Sequence, residues 1–329
     1  MLSIRRNDPC QYDDLAGEWW RPGGRFELLH WLAAARAELI PRPAGPGRVL
    51  LDAGCGGGLL APHVRDLGYR HIGVDLRRAG LALAAGQGVT PVGGDVAALP
   101  LADGSADVVV AGEILEHVPD LPATVAELCR VLRPGGTVVL DTVNATGLSR
   151  FITVTLAERA GVAPIGLHDP ALFVAPARLR AEFARWGVRL AVRGVRPSMP
   201  GLVRWLAAAR VDAGRPLGRM LPTFSTAVLY QGVGRKAAPA SHRDIHRPGR
   251  GADPADHRPS GADRGTDPAG HQPPGFASGP TPPTGPPVGH RPADRGFGHP
   301  GHRGDRGPDV GDAGAGRVRA AATGGCGGK

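Results

Sequence analysis

The stretch Val49-Leu-Leu-Asp-Ala-Gly-Cys-Gly-Gly-Gly58 decides how this chain is read. An apolar run ending in an acid and passing into glycines describes a strand delivered into a tight turn ahead of a helix. Glycines there let backbone N–H groups approach a ligand closely. A dinucleotide site wants G-x-G-x-x-G, with a pyrophosphate on the helix N-terminus. In the frame Gly54-Cys-Gly56-Gly-Gly-Leu59 the last of those positions is Leu59. The pattern present is Asp-x-Gly-x-Gly-x-Gly, and its acid, Asp52, repels a pyrophosphate but suits the ammonium of an aminoacyl group.

On both sides the chain alternates between strand and helix patterns. Residues 48–52, 71–75, 89–92, 107–111 and 137–141 read as strands, the third confined to an edge by Pro91. Helical patterns fall at 59–67, closed by Gly68, and at 121–132. Such alternation implies a mostly parallel sheet covered on both faces, with ligands beyond the C-terminal strand ends. Further on, 176–186 and 202–210 read as helical, and 188–195 and 226–233 as strands. Ahead of the sheet, the first 45 residues read as a helical cap, stopped by Pro41.

The composition removes other classes. The formal charge of +9 suggests nucleic acid, but the basic residues are nearly all Arg and form no stripe, so no nucleic-acid partner is expected. No apolar run reaches the roughly 18 residues of a membrane span, and residues 1–14 lack the apolar core of a signal peptide. The four cysteines form no CxxC pair. These features point to a cytoplasmic protein. From residue 237 onward there is no Leu, Glu, Tyr, Trp or Met, so the chain cannot bury enough apolar area to fold. The expected organisation is a helical cap over 1–45, a catalytic domain over 46–236, and a disordered Gly/Pro/Arg/Asp/His-rich tail over 237–329.

The fourth strand runs into Gly112-Glu-Ile-Leu-Glu-His-Val-Pro119, a dense group of titratable side chains for a strand end. In a helical turn Glu113 and Glu116 share a face with His117 beside them. The cluster suits either a hard divalent cation or a general base at His117. An ordinary acid-rich helix start is the plainer alternative. Asp75 ends the second strand and can accept both ribose hydroxyls of either nucleotide class.

The glycine string resembles motif I of class I S-adenosyl-L-methionine (SAM) methyltransferases. Asp95, in Gly93-Gly-Asp-Val96, stands where that class places an acid near the adenine amino group. The match narrows with Tyr12-Asp-Asp-Leu-Ala-Gly-Glu-Trp-Trp20, Gly24-Arg-Phe26, Glu113-Ile-Leu-Glu-His-Val-Pro-Asp120 and Leu132-Arg-Pro-Gly-Gly136. Together these resemble the UbiG-like O-methyltransferases of ubiquinone biosynthesis over roughly residues 12–235, weakening after about 145. The resemblance implies a Rossmann-like fold with a mostly parallel seven-stranded sheet and helices on both faces. It implies SAM as cofactor, bound by Arg36 at the carboxylate, by Gly54, Gly56 and Asp52 at the turn, and by Asp75 at the ribose. A backbone contact falls on Gly112, where the family has a bulkier apolar residue. The family's divalent metal, Mg or Zn, falls on Glu113, Glu116 and His117. His117, Glu113 and His168 are the candidate catalytic groups.

The implied reaction methylates a phenolic or catechol-type hydroxyl of a small quinol-like substrate. Residues 148–162 carry Phe151, Ile152, Val154 and Leu156 beside Arg150 and Arg159. They suit either peripheral contact with an anionic membrane or a lid. Because the match weakens after 145, another small-molecule acceptor remains the alternative, followed by a non-catalytic SAM-binding protein.

Overall fold

The computed structural model describes residues 6–208 and 218–238, all within one unit of the chain, Met1–His246. The tail expected over 237–329 lies, from residue 239, outside the described residues. Strands β1 (Val49–Ala53), β2 (Arg70–Asp75), β3 (Thr90–Gly93), β4 (Ala106–Gly112), β5 (Leu132–Val143), β6 (Val188–Pro197), β7 (Met220–Thr223) and β8 (Leu229–Lys236) form one sheet. Their order is β3-β2-β1-β4-β5-β8-β6-β7. Neighbours among the first five strands are parallel, and β8 runs antiparallel between β5 and β6.

This is the expected Rossmann-like arrangement, with eight strands where seven were expected. The additional strand, β7, pairs antiparallel with the end of β6, from Gly194↔Thr223 to Pro197↔Met220. It is four residues long and contains Pro222, which an edge tolerates because one flank makes no ladder. Nothing so short and proline-broken stands out in a sequence pattern.

The alternation of β4 explains why its residues are almost all apolar. Val109 and Ala111 enter one core with Leu51, Val125, Leu128 and Phe183. Val108 and Val110 enter another with Leu50, Leu60 and Val64. A strand buried on both faces has no polar side to show. The helix Leu121–Val131 covers the first face; Asp120 caps it by accepting from the Ala123 N–H at 2.9 Å.

The segment 59–67 is helical over Ala61–Val64 and tightens to a 3₁₀ turn over Arg65–Leu67. Gly68, at φ 85°, ends it. The N-terminal cap is helical only in part: a short helix at Gln11–Asp14, a 3₁₀ turn at Ala16–Glu18, then Glu27–Ala37. The chain reverses between β1 and β4 in the strand order. Side chains at the C-terminal ends of β1, β2, β4 and β5 therefore surround one crevice.

Candidate active site

At the end of β1 the chain enters the glycine turn with positive φ at Gly54, Gly56 and Gly58 (75°, 48° and 78°), a region costly for any other residue. A side chain on Gly56 or Gly57 would also meet the ring of Trp19. Trp20 completes that packing, its Nε1 donating to the Gly57 carbonyl at 3.0 Å. The double tryptophan thus walls the glycine turn. From β2, Asp75 accepts the Gly56 N–H on Oδ2 and the Arg77 N–H on Oδ1, each at 2.8 Å. Burial raises its carboxyl above the usual range, against the pull of those two N–H groups. Asp52, buried at the end of β1, lies 3.7 Å from His71 Nε2. Asp95 is exposed and closes its own turn, accepting from the Ala97 N–H at 2.9 Å.

Arg36, on the helix Glu27–Ala37, reaches under the end of β4. Its Nη1 donates to Asp141 Oδ1 at 2.5 Å. The guanidinium fills the space a Cβ on Gly112 would need. Arg36 Nε is buried with no acceptor among the described residues.

Beyond Gly112 the chain turns sharply: Glu113 takes φ 51°, and a 3₁₀ turn follows over Leu115–His117. Glu113 stands before that turn rather than in it, with its carboxyl near that of Glu116. Burial raises both, Glu116 to about 7 and Glu113 well above the usual range because Glu116 and Asp141 lie beside it. Thr142 Oγ1 donates to Glu116 Oε2 at 2.7 Å. His117 turns elsewhere. Its Nδ1 meets Asn7 Oδ1 at 2.6 Å, and Nε2 faces the Tyr12 hydroxyl at 3.3 Å. The imidazole of His168 stacks beside it, ring centroids 5.3 Å apart. Burial, with His168 beside it, lowers His117 to about 3, and burial lowers His168 to about 4 against the pull of Glu158, so both rings are neutral at physiological pH.

These positions do not fit a metal ion. Both His117 nitrogens have partners in other directions. Among the described residues no three His, Cys, Asp or Glu side chains converge on a point. They do fit the amino-acid end of SAM: Asp52, the half-buried Gly56 backbone and a buried guanidinium whose Nε has no acceptor line the same cavity.

One cavity of about 1000 Å³ joins these parts. Arg36, Asp52, Gly56, Asp75, Asp95 and Gly112 line it, with Glu113, His117 and His168. Gly54 and Glu116 are not in its lining. Ile152, Leu156, Val162, Leu202, Trp205 and Met220 supply apolar lining. Sequence reasoning passed over Asn7, Tyr12 and Asp141. Asp141 closes the apolar run 137–141 in an acid, as Asp52 and Asp75 close theirs, which is a usable signal. Nothing marks Asn7 before the chain is folded.

The family profile described as a methyltransferase domain matches residues 51–140. The ubiquinone biosynthesis O-methyltransferase of Paraburkholderia xenovorans is 40% identical over 185 residues, spanning 53% of this chain and 79% of that protein. The protein of the same name from Nitrosococcus oceani is 35% identical over 199 residues, spanning 57% of this chain and 84% of its own. A solved SAM-dependent methyltransferase from Thermotoga maritima, a possible histamine N-methyltransferase, is 18% identical. It covers 68% of this chain and 98% of its own, with a TM-score of 0.48.

Proposed function

The chain belongs to the ubiquinone biosynthesis O-methyltransferase family, and we propose that it methylates a ring hydroxyl of a catechol- or quinol-type substrate bearing an apolar tail. It is a SAM-dependent methyltransferase. The observation that carries the acceptor class is the lining of the cavity, which combines the cofactor-side polar residues, a neutral histidine pair and a large apolar set from the segments 147–159 and Met199–Ala208.

When bound, SAM supplies an electrophilic sulfonium methyl and a thioether leaving group that needs no acid. The chain's contribution is alignment and an acceptor for one proton. Asp75 and the glycine turn take the adenosine and aminoacyl ends, and Arg36 takes the carboxylate. The acceptor's hydroxyl displaces the Tyr12 hydroxyl from His117 Nε2. With its Nδ1–H held by Asn7, the ring keeps a lone pair on Nε2. A base weakened by burial suffices here. As the oxygen–methyl bond forms, the hydroxyl becomes far more acidic, so its proton leaves late and to a weak acceptor. One S–C bond breaks, one C–O bond forms, the electron pair stays on sulfur, and the proton passes to His117. His168, stacked beside it, keeps water out of the position. No step passes through a metal.

The apolar lining supports a tail of isoprenoid character. It comes from the helical segment 147–159, widened to a π-helix over Phe151–Leu156, and from the helix Met199–Ala208. On the same segments Leu148, Phe151, Met199 and Val203 are exposed without lining the cavity, and Leu156 and Leu206 are exposed at it. That apolar rim supports peripheral contact of residues 148–162 with a membrane surface, from which a lipid-tailed ring would enter. No helix among the described residues is long and apolar enough to cross a membrane. The test is kinetic: kcat/KM for catechols should rise with apolar tail length. A flat dependence would remove the tail from the proposal and leave a methyltransferase for plain catechols.

A further inference from the structure

Asp141, two residues before the end of β5, pairs with Gly112 at the end of β4. Its side chain is fully buried, a costly place for a carboxylate. One oxygen, Oδ1, accepts twice: from Arg36 Nη1 at 2.5 Å and from the Glu113 N–H at 3.1 Å. The second of these holds a residue whose left-handed backbone is unfavourable for a side chain other than glycine's. Gly112 completes the arrangement, because only a residue without Cβ admits the Arg36 guanidinium to this position.

The guanidinium so placed is half used. Nη1 belongs to Asp141, while Nε is buried with no acceptor and the Nε–Nη2 edge makes no hydrogen bond among the described residues. Arg36 is 7% exposed, and what it exposes lines the cavity. A buried cation that gives one nitrogen to a fixed acid, keeps Nε without an acceptor and lines a cavity has hydrogen-bonding capacity left for a second carboxylate. The Nε–Nη2 edge has the fork geometry for a bidentate contact.

We propose that Asp141 is a positioning residue: it fixes which edge of Arg36 meets the cofactor's α-carboxylate. Through the Glu113 N–H it also ties that clamp to the loop carrying His117. This rests on the proposed role of Arg36 in the carboxylate contact. A neutral residue at 141 removes the charge that holds the guanidinium and leaves it free to swing, while the Glu113 N–H keeps the backbone carbonyl of residue 141 at 3.1 Å and loses only its charged acceptor. Cofactor binding and acceptor alignment are thereby set by one carboxylate.

The test compares S-adenosylhomocysteine with its decarboxylated analogue, which keeps the amine and lacks only the carboxylate. Affinities are measured calorimetrically on the full chain and on Asp141→Asn, Gly112→Ala and Arg36→Met. Asp141→Asn is expected to weaken S-adenosylhomocysteine by about tenfold or more and the analogue by less than about twofold. Gly112→Ala, which displaces the guanidinium but keeps the acid, is expected to show the same selective loss. It carries the test if Asp141→Asn does not fold. Equal losses for both ligands, or none, in the folded variants would overturn the positioning role. If Arg36→Met binds both ligands as the parent does, the carboxylate reading of Arg36 itself fails. A selective loss in Arg36→Met without one in Asp141→Asn or Gly112→Ala leaves Arg36 in place and removes Asp141.

Discussion

Asn7 grips His117 twice: its Oδ1 meets Nδ1 at 2.6 Å, and its Nδ2 donates to the His117 carbonyl at 2.9 Å. Side chain and backbone of the proposed base are thus fixed by one amide from 110 residues away in sequence. Arg6 extends the same strap, donating to Glu158 at 2.7 Å and to the His168 carbonyl at 2.9 Å.

Asn7→Ala is therefore expected to lower kcat by about tenfold while the KM for SAM stays within about twofold, since the cofactor end is untouched. His117→Ala is expected to lower it further. Nitrogen NMR of the imidazole gives an independent reading: the Nδ1–H tautomer should dominate in the parent and lose its dominance in Asn7→Ala. Unchanged kcat in both variants would take His117 out of the chemistry.

Asp75 has two duties, holding the Gly56 N–H and presenting its remaining lone pairs to the crevice. Asp75→Asn keeps the bulk but places an NH₂ against a backbone donor. Affinity for S-adenosylhomocysteine is expected to fall by about tenfold or more, as measured by calorimetry. An affinity equal to the parent's would place the ribose elsewhere.

The geometry around Glu113, Glu116 and His117 predicts indifference to chelation. Initial rates after extensive treatment with EDTA should match untreated enzyme, and Mg²⁺ or Zn²⁺ should not raise them. A rate lost to chelation and restored by either ion would mean that these side chains rearrange around a metal.

At the opposite end of the sheet, Asp107 ties three elements together. Against the cost of burial, the Val49 N–H and the Arg133 and Arg48 guanidiniums hold its carboxyl below the usual carboxylate range. A carboxyl depressed in the folded state stabilises fully above its unfolded value of about 3.9, and that contribution is lost as pH falls through the folded value. Denaturant titrations should therefore show Asp107→Asn less stable than the parent at pH 7, with the difference shrinking below about pH 4. A difference independent of pH would assign the loss to packing.

The sheet was legible because β1, β2 and β4 announce themselves as apolar runs ending at an acid or a glycine. Each such run is buried on both faces, so its composition and its place share one cause. The short strand β7 was not legible, since its four residues are ordered by pairing with β6 rather than by a pattern of their own. In the site, the glycine turn and Asp75 could be read because their function is local: backbone shape and a strand end. The direction in which His117 points could not, because it is set by Asn7 and Tyr12, more than 100 residues away. The same holds for Gly112, which looks like a loss of packing until Arg36 is seen in the space it leaves.

The most direct test of the account supplies methyl-deuterated SAM and a catechol carrying an isoprenoid tail, and locates the label by mass spectrometry and NMR. The account predicts one labelled methyl on a ring oxygen, formed in equal amount with S-adenosylhomocysteine and reduced in His117→Ala. A label on carbon or nitrogen, or S-adenosylhomocysteine without a methylated ring, would contradict it.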